Sequence, residues 1–93
     1  MLKIEFSAQF KRDYKLAVKR GKNPDKLATV MELLQKQIPL PAKYKDHALK
    51  DSRNFKNSRE CHIEPDWLLV YQIKEDILTL KMLRTGTHSN IFS

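Results

Sequence analysis

At 93 residues, 41% of them hydrophobic, the chain has apolar surface for one modest core and is expected to form a single domain spanning residues 1–93. No apolar run approaches bilayer-spanning length, the start Met1-Leu-Lys-Ile-Glu-Phe6 lacks a signal-peptide pattern, and a lone cysteine excludes an internal disulfide, so a reducing, cytoplasmic setting without membrane association is expected. The formal net charge of +7 favours polyanionic partners, nucleic acid first and an acidic protein second, but names no reaction.

Leu2, Ile4 and Phe6 alternate with Lys3 and Glu5, the period of a half-buried strand. Ser7 offers an N-cap hydroxyl, and Phe10, Tyr14, Ala17 and Val18 recur at helical spacing up to Gly21, which can take the left-handed stop. Lys11, Arg12, Lys15 and Lys19 form a basic stripe on this helix, either RNA-facing or solvated. Asn23-Pro24 is a second helix start, and Leu27, Val30, Met31, Leu34 and Ile38 mark its apolar face before Pro39 and Pro41 block continuation. From Lys43 through Ser58 the chain is polar and reads as irregular, becoming strand near Phe55 or later. This segment carries His47 and Lys50, and a basic run passes through Arg53, Lys56 and Arg59.

Residues 59–63 read as a strand with Cys61 and Ile63 on one face and His62 on the other. That separation weakens a Cys-His nucleophile or metal pair and makes Cys61 a small core residue. Glu64-Pro65-Asp66 is the turn into a hairpin of 67–74 and 77–84. With Glu75-Asp76 as the loop, Ile73 faces Leu78, Tyr71 faces Leu80, Leu69 faces Met82 and Trp67 faces Arg84. Glu-Asp is a weak two-residue turn, which leaves a longer loop with a bulge as the alternative.

His47, His62, Asp66, Arg84 and His88 fall in loops, turns and strand ends of the same half of the chain. Antiparallel pairing would bring Asp66, Trp67 and Arg84 together at one sheet end, with His62 and His88 a few residues away. RNA cleavage needs a base for the ribose 2′-OH, positive charge on the transition state and an acid for the departing 5′-oxygen. Histidine can serve at either end of that sequence, and the guanidinium fork of Arg84 matches phosphate. Asp66 is a base, or orients a histidine. Trp67 and Phe92 are candidates to stack on a base, with a core role the alternative for Trp67, and Lys50 and Arg59 are candidate substrate-binding cations. The histidines lack H-x-H or helical i, i+4 spacing, so no metal site is expected. Thr85-Gly86-Thr87 is a weak phosphate-cradling signal.

Tyr44-Lys-Asp-His47, Glu60-Cys-His62-Ile-Glu-Pro-Asp66-Trp67, Leu69-Val-Tyr71 and Arg84-Thr-Gly-Thr-His88-Ser-Asn-Ile-Phe92 resemble the YafQ branch of the RelE/ParE superfamily of bacterial type II toxins. The resemblance spans the whole chain and departs at residues 49–55, where relatives commonly show a glycine and a tryptophan. It implies an α+β, RelE-like fold with an N-terminal strand, a two-helix hairpin and antiparallel strands in one twisted sheet carrying the helices on one face. It also implies an endoribonuclease that cuts translated mRNA in the ribosomal A site without metal or other cofactor, is neutralised by a DinJ-like antitoxin, and reaches operator DNA through that antitoxin. On this likeness His47, His62, Asp66 and His88 match acid-base positions, with His88 the acid and Asp66 or His62 the base. Arg84 matches the transition-state arginine, and Trp67 and Phe92 flank the site. The alternatives are a non-catalytic, ParE-like inhibitor of DNA gyrase and a basic RNA- or ribosome-binding module.

Overall fold

A computed structural model describes residues 1–50 and 55–92. Residues 51–54 of the departing stretch, with Arg53, lie outside the described residues. Strand β1 (Lys3–Phe6) leads into α1 (Ala8–Lys19) and α2 (Pro24–Gln35). A one-turn 3₁₀ helix (Ala42–Tyr44) then precedes the short β2 (His47–Ala48). Strands β3 (Arg59–Glu64), β4 (Trp67–Lys74) and β5 (Thr79–Gly86) follow, and α3 (His88–Phe92) ends the chain. Spatially the strands run β1-β5-β4-β3-β2. The neighbours from β5 to β2 are antiparallel, whereas β1 lies parallel to β5, because α1 and α2 carry the chain back across the sheet before the hairpins begin. The sheet is therefore mixed rather than wholly antiparallel.

Local chemistry explains both helix boundaries. Ser7 Oγ accepts from the Phe10 N–H at 2.9 Å, and Asn23 Oδ1 accepts from the Asp25 N–H at 2.9 Å. Each helix ends in the same pair of backbone bonds. Lys22 N–H donates to Ala17 O and Gly21 N–H to Val18 O after α1, and Ile38 N–H donates to Leu33 O and Gln37 N–H to Leu34 O after α2. The first stop uses Gly21 at φ 92°; the second puts Gln37 at φ 56°, a side chain held in the left-handed region. The second helix thus stops before Pro39, and Ile38 is exposed instead of extending the apolar face.

One face of the sheet packs Cys61, Ile63, Trp67, Leu69, Tyr71, Leu80 and Met82 against Phe10, Ala17, Leu27, Val30 and Leu34 of the two helices. The opposite face is not bare. Leu68 and Val70 are fully buried beneath Ile91 of α3, with Leu49, Phe55 and Leu83 at the margin.

The hairpin differs from the two-residue loop expected from sequence. Residues Glu75–Ile77 form a 3₁₀ turn closed by Leu78 in the left-handed conformation, so Ile73 pairs with Leu80 and Tyr71 with Met82. Leu83 is then an extra residue: Val70 pairs with Arg84 and Leu69 with Thr85. A one-residue insertion reverses the side-chain alternation beyond it. Arg84, which without the insertion would join the core face opposite Leu69, goes to the opposite face, and Thr85 enters the core in its place.

Candidate active site

The register assembles the site. His47 pairs with Glu60, Glu60 with Val70 and Val70 with Arg84, one row across four strands. A second row joins His62, Leu68 and Gly86. Paired residues share a face, and with strands about 4.8 Å apart the ends of these rows are about 14 Å and about 10 Å apart at Cα. Two residues beyond Gly86, His88 begins α3, whose Ile91 sits on the same face. His47, His62, Arg84 and the start of α3 therefore lie on the side of the sheet away from α1 and α2.

At one end of this face Glu60, its side chain only 4% exposed, reaches two imidazoles: His47 Nε2 and His62 Nε2 each lie 3.5 Å from its Oε1. The other ring nitrogens also meet oxygens, with His47 Nδ1 2.7 Å from Lys45 O and His62 Nδ1 3.1 Å from Pro65 O. The two rings are 6.3 Å apart. Asp46 fixes the loop before His47. It accepts from Arg59 Nε at 3.3 Å, Arg59 Nη2 at 3.1 Å and the Tyr71 hydroxyl. Burial, then the Asp46 contact, push the Tyr71 phenol up, so it stays a donor across the physiological range.

At the other end Asp66, in the Pro65-Asp66 hairpin turn, accepts the His88 backbone N–H at 3.1 Å. Thr87 and Asn90 cap α3 reciprocally: Asn90 N–H donates to Thr87 Oγ1 at 3.2 Å and Thr87 N–H donates to Asn90 Oδ1 at 3.3 Å. The His88 ring packs 5.3 Å from Phe92, which meets Phe55 edge-on at 5.9 Å. Among the described residues nothing hydrogen-bonds the His88 ring, so both its nitrogens can exchange protons with a substrate. Phe92 is 38% exposed beside it and can offer a face to a base.

Arg84 is held rather than free. Its Nε donates to Asp13 Oδ2 at 2.7 Å and its Nη2 to Asp13 Oδ1 at 3.1 Å, with a longer contact from Nη2 to Asn90 O at 3.4 Å. Strand β1 ends at Phe6 opposite Met82, leaving the edge of β5 beyond it uncovered, and there the Asp13 carboxylate also accepts the Thr85 N–H at 3.1 Å. A cleft of about 230 Å³ opens beside this ion pair, walled by Asp66, Trp67, Arg20 and Lys22.

Two expected substrate contacts are not placed as the sequence suggested. Trp67 is 2% exposed and cannot stack on a base: its indole N–H donates to Thr85 Oγ1 at 2.9 Å, and Thr85 Oγ1 donates to Leu68 O at 2.8 Å. Arg59 pairs with Tyr71, so it lies on the helix-side face, and Asp46 occupies its guanidinium. Lys50 is exposed at the sheet margin beside Lys56, one residue from Leu49, which packs against the cluster of Leu68, Val70 and Ile91, and it stays available to a substrate. The separation of Cys61 from His62 holds: Cys61 is fully buried in the core, and desolvation pushes its thiol up to about 12. Among the described residues, no three His, Cys, Asp or Glu side chains are arranged to hold a metal ion.

Two carboxylates escaped the sequence reading. Glu60 lies within a recognised motif but drew no role from it, and Asp13 sits in a basic helix with no motif around it. The third helix was missed too, although Thr87-x-x-Asn90 is the spacing of a reciprocal cap.

Residues 2–93 match the family model for the bacterial toxin of type II toxin-antitoxin systems, YafQ. This chain belongs to the YafQ family. The mRNA interferase toxin YafQ of Escherichia coli (strain B / BL21-DE3) is 48% identical over 90 residues, covering 96% of this chain and 94% of the relative. A metal-bound toxin from Helicobacter pylori superposes with a TM-score of 0.93 at 48% identity, covering 99% of this chain and all of that one. The E. coli DinJ-YafQ complex contains a chain with a TM-score of 0.88 at 46% identity, both chains covered in full. The α+β toxin fold is thus the family's own, and the mixed sheet with its third helix is how this YafQ-family chain builds it.

Proposed function

We propose that this chain, acting as one cytoplasmic domain, is an mRNA interferase toxin that cuts mRNA in the ribosomal A site by acid-base chemistry without a metal. Its activity would be blocked by a DinJ-like antitoxin that also carries the complex to operator DNA. The observation that supports the enzymatic reading is the shared face on which the Glu60-linked imidazoles, Asp66, Arg84 and His88 lie. A fold used only as a plug for a protein target has no need of three imidazoles and a guanidinium on one surface.

In this reading the 2′-oxygen attacks the adjacent phosphorus as His62 Nε2 or an Asp66 oxygen takes its proton. Arg84 stabilises the charge gathering on the phosphate oxygens, and His88 protonates the departing 5′-oxygen. The products are a 2′,3′-cyclic phosphate and a 5′-hydroxyl. Glu60 orients His47 and His62. Phe92 stacks on a base beside the cut, and the basic surface supplies affinity for the polyanion. The same charge suits an acidic antitoxin segment; antitoxin affinity indifferent to salt would count against that contact.

The test is cleavage of a defined mRNA on programmed ribosomes in magnesium buffer, with 5′ ends mapped, for the native chain, His88→Ala and Arg84→Ala. Native protein should give codon-phased cuts unaffected by a transition-metal chelator, and both variants should lose activity by about 10²-fold or more. Full activity in both folded variants overturns the site assignment. Growth arrest with intact mRNA would instead favour a gyrase-type inhibitor.

A further inference from the structure

The mechanism above uses Arg84 but leaves the residue that grips it without a role. Asp13 lies on α1, on the helix side of the sheet, and its carboxylate is 8% exposed. Three of its four hydrogen bonds run to the site end of β5. It accepts from Arg84 Nε and Nη2 and from the Thr85 N–H, while Gln9 Nε2 donates to its Oδ1 at 2.9 Å. A carboxylate with four donors on two oxygens is fixed, and so is the guanidinium it holds.

The two nitrogens that Asp13 takes form the side edge of the guanidinium. The end edge, Nη1 with the second hydrogen of Nη2, remains for another anion, opposed only by the longer contact to Asn90 O. Arg84 lines the cleft shared with Asp66, Gly86 and Thr87, next to the residue that starts α3. We propose that Asp13 is a positioning residue for RNA cleavage: it clamps Arg84 by Nε and Nη2 so that the end edge is presented to the scissile phosphate.

Two effects of Asp13 oppose each other. Its charge offsets part of the positive field that Arg84 offers to phosphate, which alone would slow cleavage. Its fork removes the rotational freedom of a long side chain and sets the guanidinium plane, and a misplacement near 1 Å at a reacting centre costs on the order of 10²-fold in rate. We take geometry to win, since among the described residues Arg84 has only the weak Asn90 contact to hold it otherwise. The two effects predict opposite signs for Asp13→Asn, in which one oxygen still accepts the Thr85 N–H but the charged fork is lost.

This inference rests on Arg84 acting at the phosphate. Single-turnover cleavage on programmed ribosomes should be measured over a range of toxin concentrations for Asp13→Asn, Arg84→Ala, Arg84→Lys and the Asp13→Asn/Arg84→Ala double variant. Asp13→Asn is expected to lower the maximal cleavage rate about 10- to 100-fold, with the half-saturating concentration within about twofold of native. In the Arg84→Ala background the same change should cost less than about twofold, because a clamp with nothing to hold has no effect. Arg84→Lys keeps the charge but cannot take the fork, and should lose rate as Asp13→Asn does even if the latter folds poorly. An unchanged or faster rate for Asp13→Asn, losses that multiply in the double variant, or a fully active Arg84→Lys each overturn the clamp. Full activity in Arg84→Ala rejects the role of Arg84 itself, and the clamp with it; an inactive Arg84→Ala beside an active Asp13→Asn rejects the clamp alone.

Discussion

Replacing Thr85 by valine tests the bulge that delivers Arg84 to the site. The two side chains have nearly the same shape, so the change removes only a hydroxyl from a residue that is 1% exposed. That hydroxyl accepts from Trp67 Nε1 at 2.9 Å and donates to Leu68 O at 2.8 Å. Two buried groups left unpaired, at a mid-range cost of about 1.5–2 kcal/mol each, lose about 3–4 kcal/mol, and the added methyl returns about 1 kcal/mol, so the net loss should be about 2–3 kcal/mol. For a domain of this size, where each kcal/mol moves the midpoint by about 4–8 °C, Tm should fall by about 10–20 °C. Thermal and urea unfolding followed by circular dichroism would measure it. Trp67→Phe, which deletes the indole N–H, should cost at least about 1 kcal/mol less in the Thr85→Val background than in the native chain. Were the hairpin in its unbulged register, Thr85 would face away from Trp67 and the change would be nearly neutral. A loss below about 0.5 kcal/mol, or full additivity with Trp67→Phe, would therefore refute the register and with it the placement of Arg84.

Three further outcomes are expected. Gln37→Gly should raise stability by about 0.5–1 kcal/mol in urea unfolding, since the stop after α2 holds a side chain at φ 56°. Cys61, with its thiol pushed up to about 12 from 9.0, should resist alkylation at pH 8 in the folded chain. Because that folded value is raised, its contribution to stability is complete below pH 9 and falls as pH climbs towards 12; Cys61→Ala should flatten this alkaline decline. Hydrogen bonds from Lys26 and then Lys22 hold the Glu64 carboxyl below its ordinary 4.5. A lowered value gives stability that is complete above pH 4.5 and lost as pH falls through the folded value, so Glu64→Gln should weaken the acid dependence of Tm below that pH.

Much of this architecture was legible because local chemistry and tertiary structure agree. Ser7, Gly21 and Asn23-Pro24 mark helix ends with side chains and dihedrals that act within a few residues, and the alternation around Cys61 and His62 sorts core from site before any contact is known. Arg84 shows where such reading stops. Its face depends on one extra residue in β5, the bulge at Leu83, which no turn pair or motif marks; the 3₁₀ turn at Glu75–Ile77 moves the register by two residues and keeps the parity, so counting from the hairpin put Arg84 on the core face. The partners of the site are hidden for a related reason. Asp13 meets Arg84 across 71 positions of chain, and Glu60 becomes a buried bridge between two histidines only when β2 pairs with β3. Trp67, the one tryptophan, invited a stacking role by its place in a recognised motif; its indole N–H found a hydroxyl in the core instead.

The chemistry itself is tested most directly by removing the nucleophile from the substrate and leaving the protein untouched. A ribosome-bound mRNA with a single 2′-deoxy substitution on the 5′ side of the mapped cut should be bound as well as its ribose counterpart and remain uncleaved by the native chain, while the ribose form yields a 2′,3′-cyclic phosphate end. Cleavage of the deoxy substrate at the same bond, at a comparable rate, would contradict an acid-base reaction run by these imidazoles, Asp66 and Arg84.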